Sequence, residues 1–280
     1  MITIARITIG EAARRRVLWV LVALAVLAVA LTAWGTDRLV SLSRDQGSSD
    51  AQIKLIVSQV LIFIAFQFTF VLAMTAAFLG APAIASDLES GVAQALLARP
   101  LRRSSYLLGR WLGLSVVTVG YAGGSALLAI LAVSFVSDYT PPSILAPVGF
   151  LALQAIVLLS LALLLSTRLA PIAGGAVCVV AYGLAWMGGV LGDIGRTLGA
   201  SSVATLGDLS RVLLPTDGLW RGVVYGLEPA FVIQSVGQGL ARANPFFAAD
   251  PPSPIYLAWS VLWLALVLGA AITLLRRREV

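Results

Sequence analysis

Side chains able to move protons, attack electrophiles or hold metals are scarce in this sequence, and the scarcity is informative. The closest acidic pair is Asp87 and Glu89. Histidine is absent, which removes imidazole ligands, histidine general bases and the HExxH helix of zinc proteases. Cys178 is the single cysteine, so neither an intrachain disulfide nor a thiolate cluster can form. Lys54 is the single lysine, and in Gln52-Ile53-Lys54-Leu55 it has no neighbouring glycine. A phosphate-cradling loop needs Gly-Lys-Ser/Thr, so the chain has no such nucleotide site of its own. A serine nucleophile would lack its usual base, and magnesium-dependent phosphate transfer would want several acids gathered together. Asp208, Asp217 and Glu228 are left as isolated acids. No residue is assigned to catalysis, a cofactor or a metal.

The Asp87–Glu89 pair has a structural explanation. Ser86 followed three residues later by Glu89 reads as a capping box, which starts a helix by satisfying its free amide donors. Asp87 and Glu89 then sit at the positive end of the helix dipole. Leu88, Val92, Ala95 and Leu96 follow on one apolar stripe, and Pro100 ends the run beside Arg99, Arg102 and Arg103. The spacing predicts a short amphipathic helix over 86–97. Two uses fit it: lying on the headgroups with arginines touching anionic lipid, or docking its stripe into a partner's groove.

The elements around it are membrane spans. The chain has 280 residues, 59% hydrophobic and 11% charged, with a mean hydropathy of +0.96. Soluble domains carry about 25% charged residues, so the soluble classes are excluded. Six stretches without Asp, Glu, Lys or Arg are long enough to cross a bilayer: 17–34, 55–81, 111–137, 148–166, 172–192 and 255–275. The first reads as an uncleaved anchor. With the N-terminus in the cytoplasm, twelve of the nineteen basic residues fall inside, among them Arg14, Arg15, Arg16, Arg102, Arg103, Arg110, Arg276 and Arg277. Only Arg38, Arg44 and Lys54 fall in short outside segments, so both termini are expected inside. The net charge of +6 is then a topology signal and not a nucleic-acid footprint.

Residues 1–16, with Ile2, Ala5, Ile9 and Ala12 near one face, read either as an interfacial N-terminal helix or as an ordinary basic flank to the first span. The outside segment 193–254 shows two helical runs, Leu206, Leu209, Leu213 and then Leu219, Val223, Leu227, which could dip into the membrane. Within the spans, Gln59 and Gln67 flank Phe63 on one side of the second. They read either as pathway lining or as partners in helix-to-helix hydrogen bonds. Gly120-x-x-x-Gly124 and Gly188-x-x-x-Gly192 permit close helix approach. Trp34, Trp111, Trp220, Tyr225 and Tyr256 read as interfacial anchors.

Glu89-Ser90-Gly91, Leu96-Leu97, Pro100, Arg103 and Gly109-Arg110 together resemble the cytoplasmic loop of ATP-binding-cassette exporter permeases of the second type. The start, Glu11 and Arg14 to Arg16 leading into Val17-Leu18-Trp19, is similar to theirs. Pro215-Thr216-Asp217 and Arg221 resemble the outside segment of the branch related to the nitrous-oxide-reductase maturation permease. Val92 and Gln94 depart from the usual threonine and acid.

The resemblance implies an all-α integral membrane permease domain in a prokaryotic cytoplasmic membrane, with the 86–97 helix coupled to a separate ABC ATPase. Its docking residues would be Ser86, Asp87, Leu88, Glu89, Gly91, Val92, Ala95 and Leu96. Six helices leave little wall for a sealed pathway, so a second copy or a homologous permease is expected, with spans two and five at the seam. The absence of charges in the spans leans toward an amphiphilic or hydrophobic cargo. The competing expectation is a non-transporting scaffold that uses 193–254 as its platform.

Overall fold

The computed structural model describes residues 1–91, 102–236 and 243–277, and these residues contain helices and no strand. Among the described residues, six helices are long and apolar enough to cross a membrane. The first short helix, α1 (Ile2–Arg14), is separated from α2 (Arg16–Asp45) by Arg15, whose backbone is extended. The Trp19 indole donates to the Ala13 carbonyl at 2.9 Å and closes the end of α1. At 30 residues α2 is about 45 Å long, more than a bilayer's apolar core of about 30 Å. It runs on past Trp34 as a continuous helix carrying Asp37, Arg38, Arg44 and Asp45.

Helix α3 (Asp50–Gly80) opens on a true capping box, in which Ser49 accepts from the Gln52 amide and Gln52 accepts from the Ser49 amide at 2.9 Å. Helix α4 (Pro82–Glu89) follows without a turn: Ala81 still donates to Ala77, and Pro82, lacking an amide, suits a first helical position. The two act as one rod over Asp50–Glu89. After residue 102 come α5 (Arg103–Ser137), α6 (Leu145–Ser166) and α7 (Pro171–Thr197). Helix α6 is the hub, packing on α3, α5 and α7. Half of its apolar window is buried, against 6% for α2 at the rim.

The segment after α7 turns back into the bundle. Helix α8 (Ser201–Leu213) descends along α7, and α9 (Thr216–Leu227) then climbs along α6. Only glycine allows the first contact: a Cβ on Gly192 would lie 2.6 Å from the Gly207 Cα. The leucines at 206, 209 and 213 therefore face outward, whereas Leu219, Trp220, Val223 and Leu227 of α9 are almost wholly buried. Helices α10 (Ala230–Val236) and α11 (Pro254–Arg276) complete the described chain. Both termini lie at one end of the bundle, since Glu11 of α1 and the last carbonyls of α11 meet the start of α5. That end is the terminal face below, and the other is the far face.

Two expectations fail on packing. Trp220 is no surface anchor: its ring is 1% exposed, 5.6 Å from the Phe66 ring, and its indole donates to Pro245. The Gly120/Gly124 pair meets nothing within 4 Å, because that face of α5 points out of the bundle.

Candidate coupling site

The rod that α3 and α4 form ends at the terminal face. Ser86 lies inside α4 and does not start a helix. Its carbonyl accepts the Ser90 amide at 3.0 Å and the Ser90 hydroxyl at 2.7 Å, so it helps to end the helix. Gly91 follows at φ +74, a conformation that favours glycine at a helix terminus. Leu88 does not belong to an outward stripe, because it packs on the cluster holding Ile84, Leu107, Leu163 and Leu275. The rod's last turn is set by Pro82 five residues upstream, and that register turns Leu88 inward and leaves Glu89 and Ser90 exposed. Val92, Ala95 and Leu96 lie outside the described residues.

Asp87 has a role other than capping. It accepts a hydrogen bond from the Tyr106 hydroxyl and forms an ion pair with Arg110 of α5, and Arg110 also pairs with Glu11 of α1. The Arg110 side chain is 11% exposed, and its guanidinium carbon lies 6.0 Å from the Tyr106 ring centre. One buried cation thus joins α1, the end of the rod and α5. Helix α1 sits against Gly109 and Gly113, which offer no side chain to hold it off. One turn before Tyr106, Arg103 donates to the carbonyls of Leu275 and Arg276 at 3.0 Å, so α11 is fastened at the same junction.

The far face holds a second ionic knot, which the sequence reading missed. Asp193 near the end of α7 accepts from Arg196 at 2.7 Å, from Arg211 of α8 at 2.8 Å and from Arg221 of α9. Arg211 also pairs with the fully buried Asp217 at 2.7 Å. Asp193, Arg196, Arg211 and Arg221 border a cavity of about 380 Å³ that Tyr256, Phe247 and Asp250 help to close. Glu228, at the end of α9, is buried, and among the described residues its one hydrogen-bond donor is the Ala248 amide at 3.4 Å. Burial pushes its carboxyl up to about 8, against the opposing pull of that amide and of Arg221. Charges in so apolar a chain are the signal that could have marked this knot.

Of the suggested pathway residues, Phe63 and Gln67 share one groove of about 530 Å³ between α2 and α3. Gln59 is half-buried and does not border it. Among the described residues neither amide hydrogen-bonds to another span.

The geometry is thus a six-span bundle whose second span continues as a rod to the terminal face, ionically fastened to its neighbours, in a chain without a phosphate loop. A family model described as ABC-2 family transporter protein matches residues 2–280. The chain belongs to the ABC-2 transporter family. No curated protein matches it. This ABC-2 protein is therefore a multi-pass membrane component of an ABC transporter, placed in the cytoplasmic membrane in a prokaryote. Membership implies pairing with ABC ATPase subunits.

Proposed function

We propose that this ABC-2 protein is the permease subunit of an ATP-driven exporter whose ATPase docks beneath the α3–α4 rod. The observation that carries the reading is the Asp87–Arg110–Glu11 junction, which ties the terminal-face end of span two to α1 and α5. A push on the exposed turn at Glu89, or on the residues that follow, would reach three elements together. The arginine bias supports putting this face in the cytoplasm. Glu89, Ser90 and Gly91 are the described docking candidates, Asp87 and Leu88 brace them from within, and Val92, Ala95 and Leu96 are docking candidates outside the described residues.

Phe78 of α3 and Ile172 of α7, both largely exposed, support assembly with a second copy or a homologous permease along spans two and five. Phe63 and Gln67 are the cargo-facing candidates. Reconstitution of the chain with its ABC ATPase in liposomes tests the reading. Glu89→Arg should cut permease-dependent ATP turnover at least about tenfold while leaving the thermal stability of the bundle unchanged. Turnover independent of the membrane subunit would overturn the exporter reading and leave a scaffold anchored through 193–254.

A further inference from the structure

The groove between α2 and α3 combines an apolar wall with polar groups that nothing among the described residues satisfies. Thr32, Thr36 and Leu39 border it from α2, and Phe63, Gln67 and Phe70 from α3. Thr36 is 1% exposed, yet its hydroxyl finds no partner. By contrast the Thr32 hydroxyl one turn earlier donates to the Ala28 carbonyl at 2.8 Å. Gln67 is exposed at the middle of α3, and its amide is unpaired among the described residues. In a bilayer no water stands by to complete such groups. Phe63 and Phe70 are about half exposed, so the groove is open from the side.

The lining carries no charge, which disfavours an ionic headgroup. A hydroxyl together with a primary amide offers donors and acceptors at once, as does an uncharged amide or alcohol. The volume of about 530 Å³ lies within the range of small-molecule sites. Gly35 borders the groove where it is open: a Cβ there would meet nothing within 4 Å.

We propose that this groove binds an uncharged single-chain amphiphile, its apolar chain against Phe63 and Phe70 and its neutral polar group on Thr36 and Gln67. The proposal rests on the reading of Phe63 and Gln67 as cargo-facing. Binding is therefore measured without nucleotide, so that a failure of transport coupling is not mistaken for a failure of the site.

The probe is a photoactivatable dodecanamide, used on the complete complex in lipid nanodiscs, with crosslinked positions mapped by mass spectrometry. Labelling should concentrate on residues 28–39 and 60–71, and unlabelled dodecanamide should compete for it while dodecyl sulfate does not. Thr36→Val with Gln67→Leu should reduce labelling at least about fivefold and leave labelling by a headless photoactivatable alkane unchanged. Gly35→Leu, which fills the groove without touching either polar group, should abolish both. Equal labelling by amide and alkane in the original chain would reduce the groove to plain lipid-facing surface and overturn the proposal. Labelling of the isolated chain but not of the assembled complex would mean that a second copy closes the groove, and would overturn it too.

Discussion

The indole of Trp263 donates to the main-chain carbonyl of Leu213 at 2.8 Å, joining the last membrane helix to the end of a helix fifty residues earlier. One turn away on α11 Trp259 does the same for Val212 at 3.1 Å, and the Tyr256 hydroxyl approaches the Arg211 carbonyl at 3.5 Å. A helix that stops inside a bundle leaves its last carbonyls unpaired. Here a row of aromatic donors on a neighbour supplies the missing partners.

Trp263→Phe keeps the ring and removes the donor, leaving the Leu213 carbonyl unpaired in a half-buried place. The expected loss is about 1–3 kcal/mol, read as a lower Tm of the detergent-solubilised protein. Trp259→Phe, at the exposed and longer bond, should cost less. Equal effects would mean that ring packing and not hydrogen bonding governs this seam.

Removing the buried cation at the terminal face is the more damaging change. Arg110→Met leaves Asp87 buried without its partner, and about 3–5 kcal/mol of stability should go with it. Glu11→Gln weakens a pair whose acid is 48% exposed, and its cost should stay below about 1 kcal/mol. A double-mutant cycle on Asp87 and Arg110 should show strong coupling, which separate, additive losses would refute.

Glu228 makes the far face sensitive to pH. Its folded carboxyl titrates at about 8 against 4.5 for the exposed group, so between these values the folded chain binds a proton that the unfolded chain does not. Stability should therefore be highest at the acid end and fall as pH rises through that window. The charged and titratable neighbours are Arg221, which opposes the rise, and Tyr139, whose own hydroxyl is spent on the Leu227 carbonyl at 2.8 Å. Glu228→Gln should flatten the Tm–pH profile and raise Tm by a few degrees above about pH 8, as seen by differential scanning fluorimetry.

The two glycine pairs should separate cleanly. Gly192→Val drives a side chain into the Gly207 backbone and should prevent the α7–α8 contact, with loss of folded protein on size-exclusion chromatography. Gly124→Ala meets open space and should be neutral or stabilising by up to about 1 kcal/mol.

Apolar runs announce spans directly, because a bilayer leaves a helix no alternative, and all six were legible as sequence. So were the two helical runs after Asp193, from the spacing of their leucines. Where those runs go was not legible: Trp220 resembles an anchor until α9 is seen to return to the core. Ser86 misled for a related reason. Serine and glutamate three apart can cap a helix, but they also fit inside one, and Pro82 upstream had already fixed its start. The Asp193 knot brings together charges 18, 24 and 28 residues apart, and only the hairpin between α8 and α9 makes them neighbours.

The aromatic donors on α11 also impose an order on biogenesis. Residues 201–213 leave the ribosome some forty residues before those of the final span, so the carbonyls of Val212 and Leu213 lack their indole donors during that interval. A nascent chain arrested before Pro254 would keep these carbonyls exposed to water or to a chaperone, and only delivery of the last segment would let the far side close.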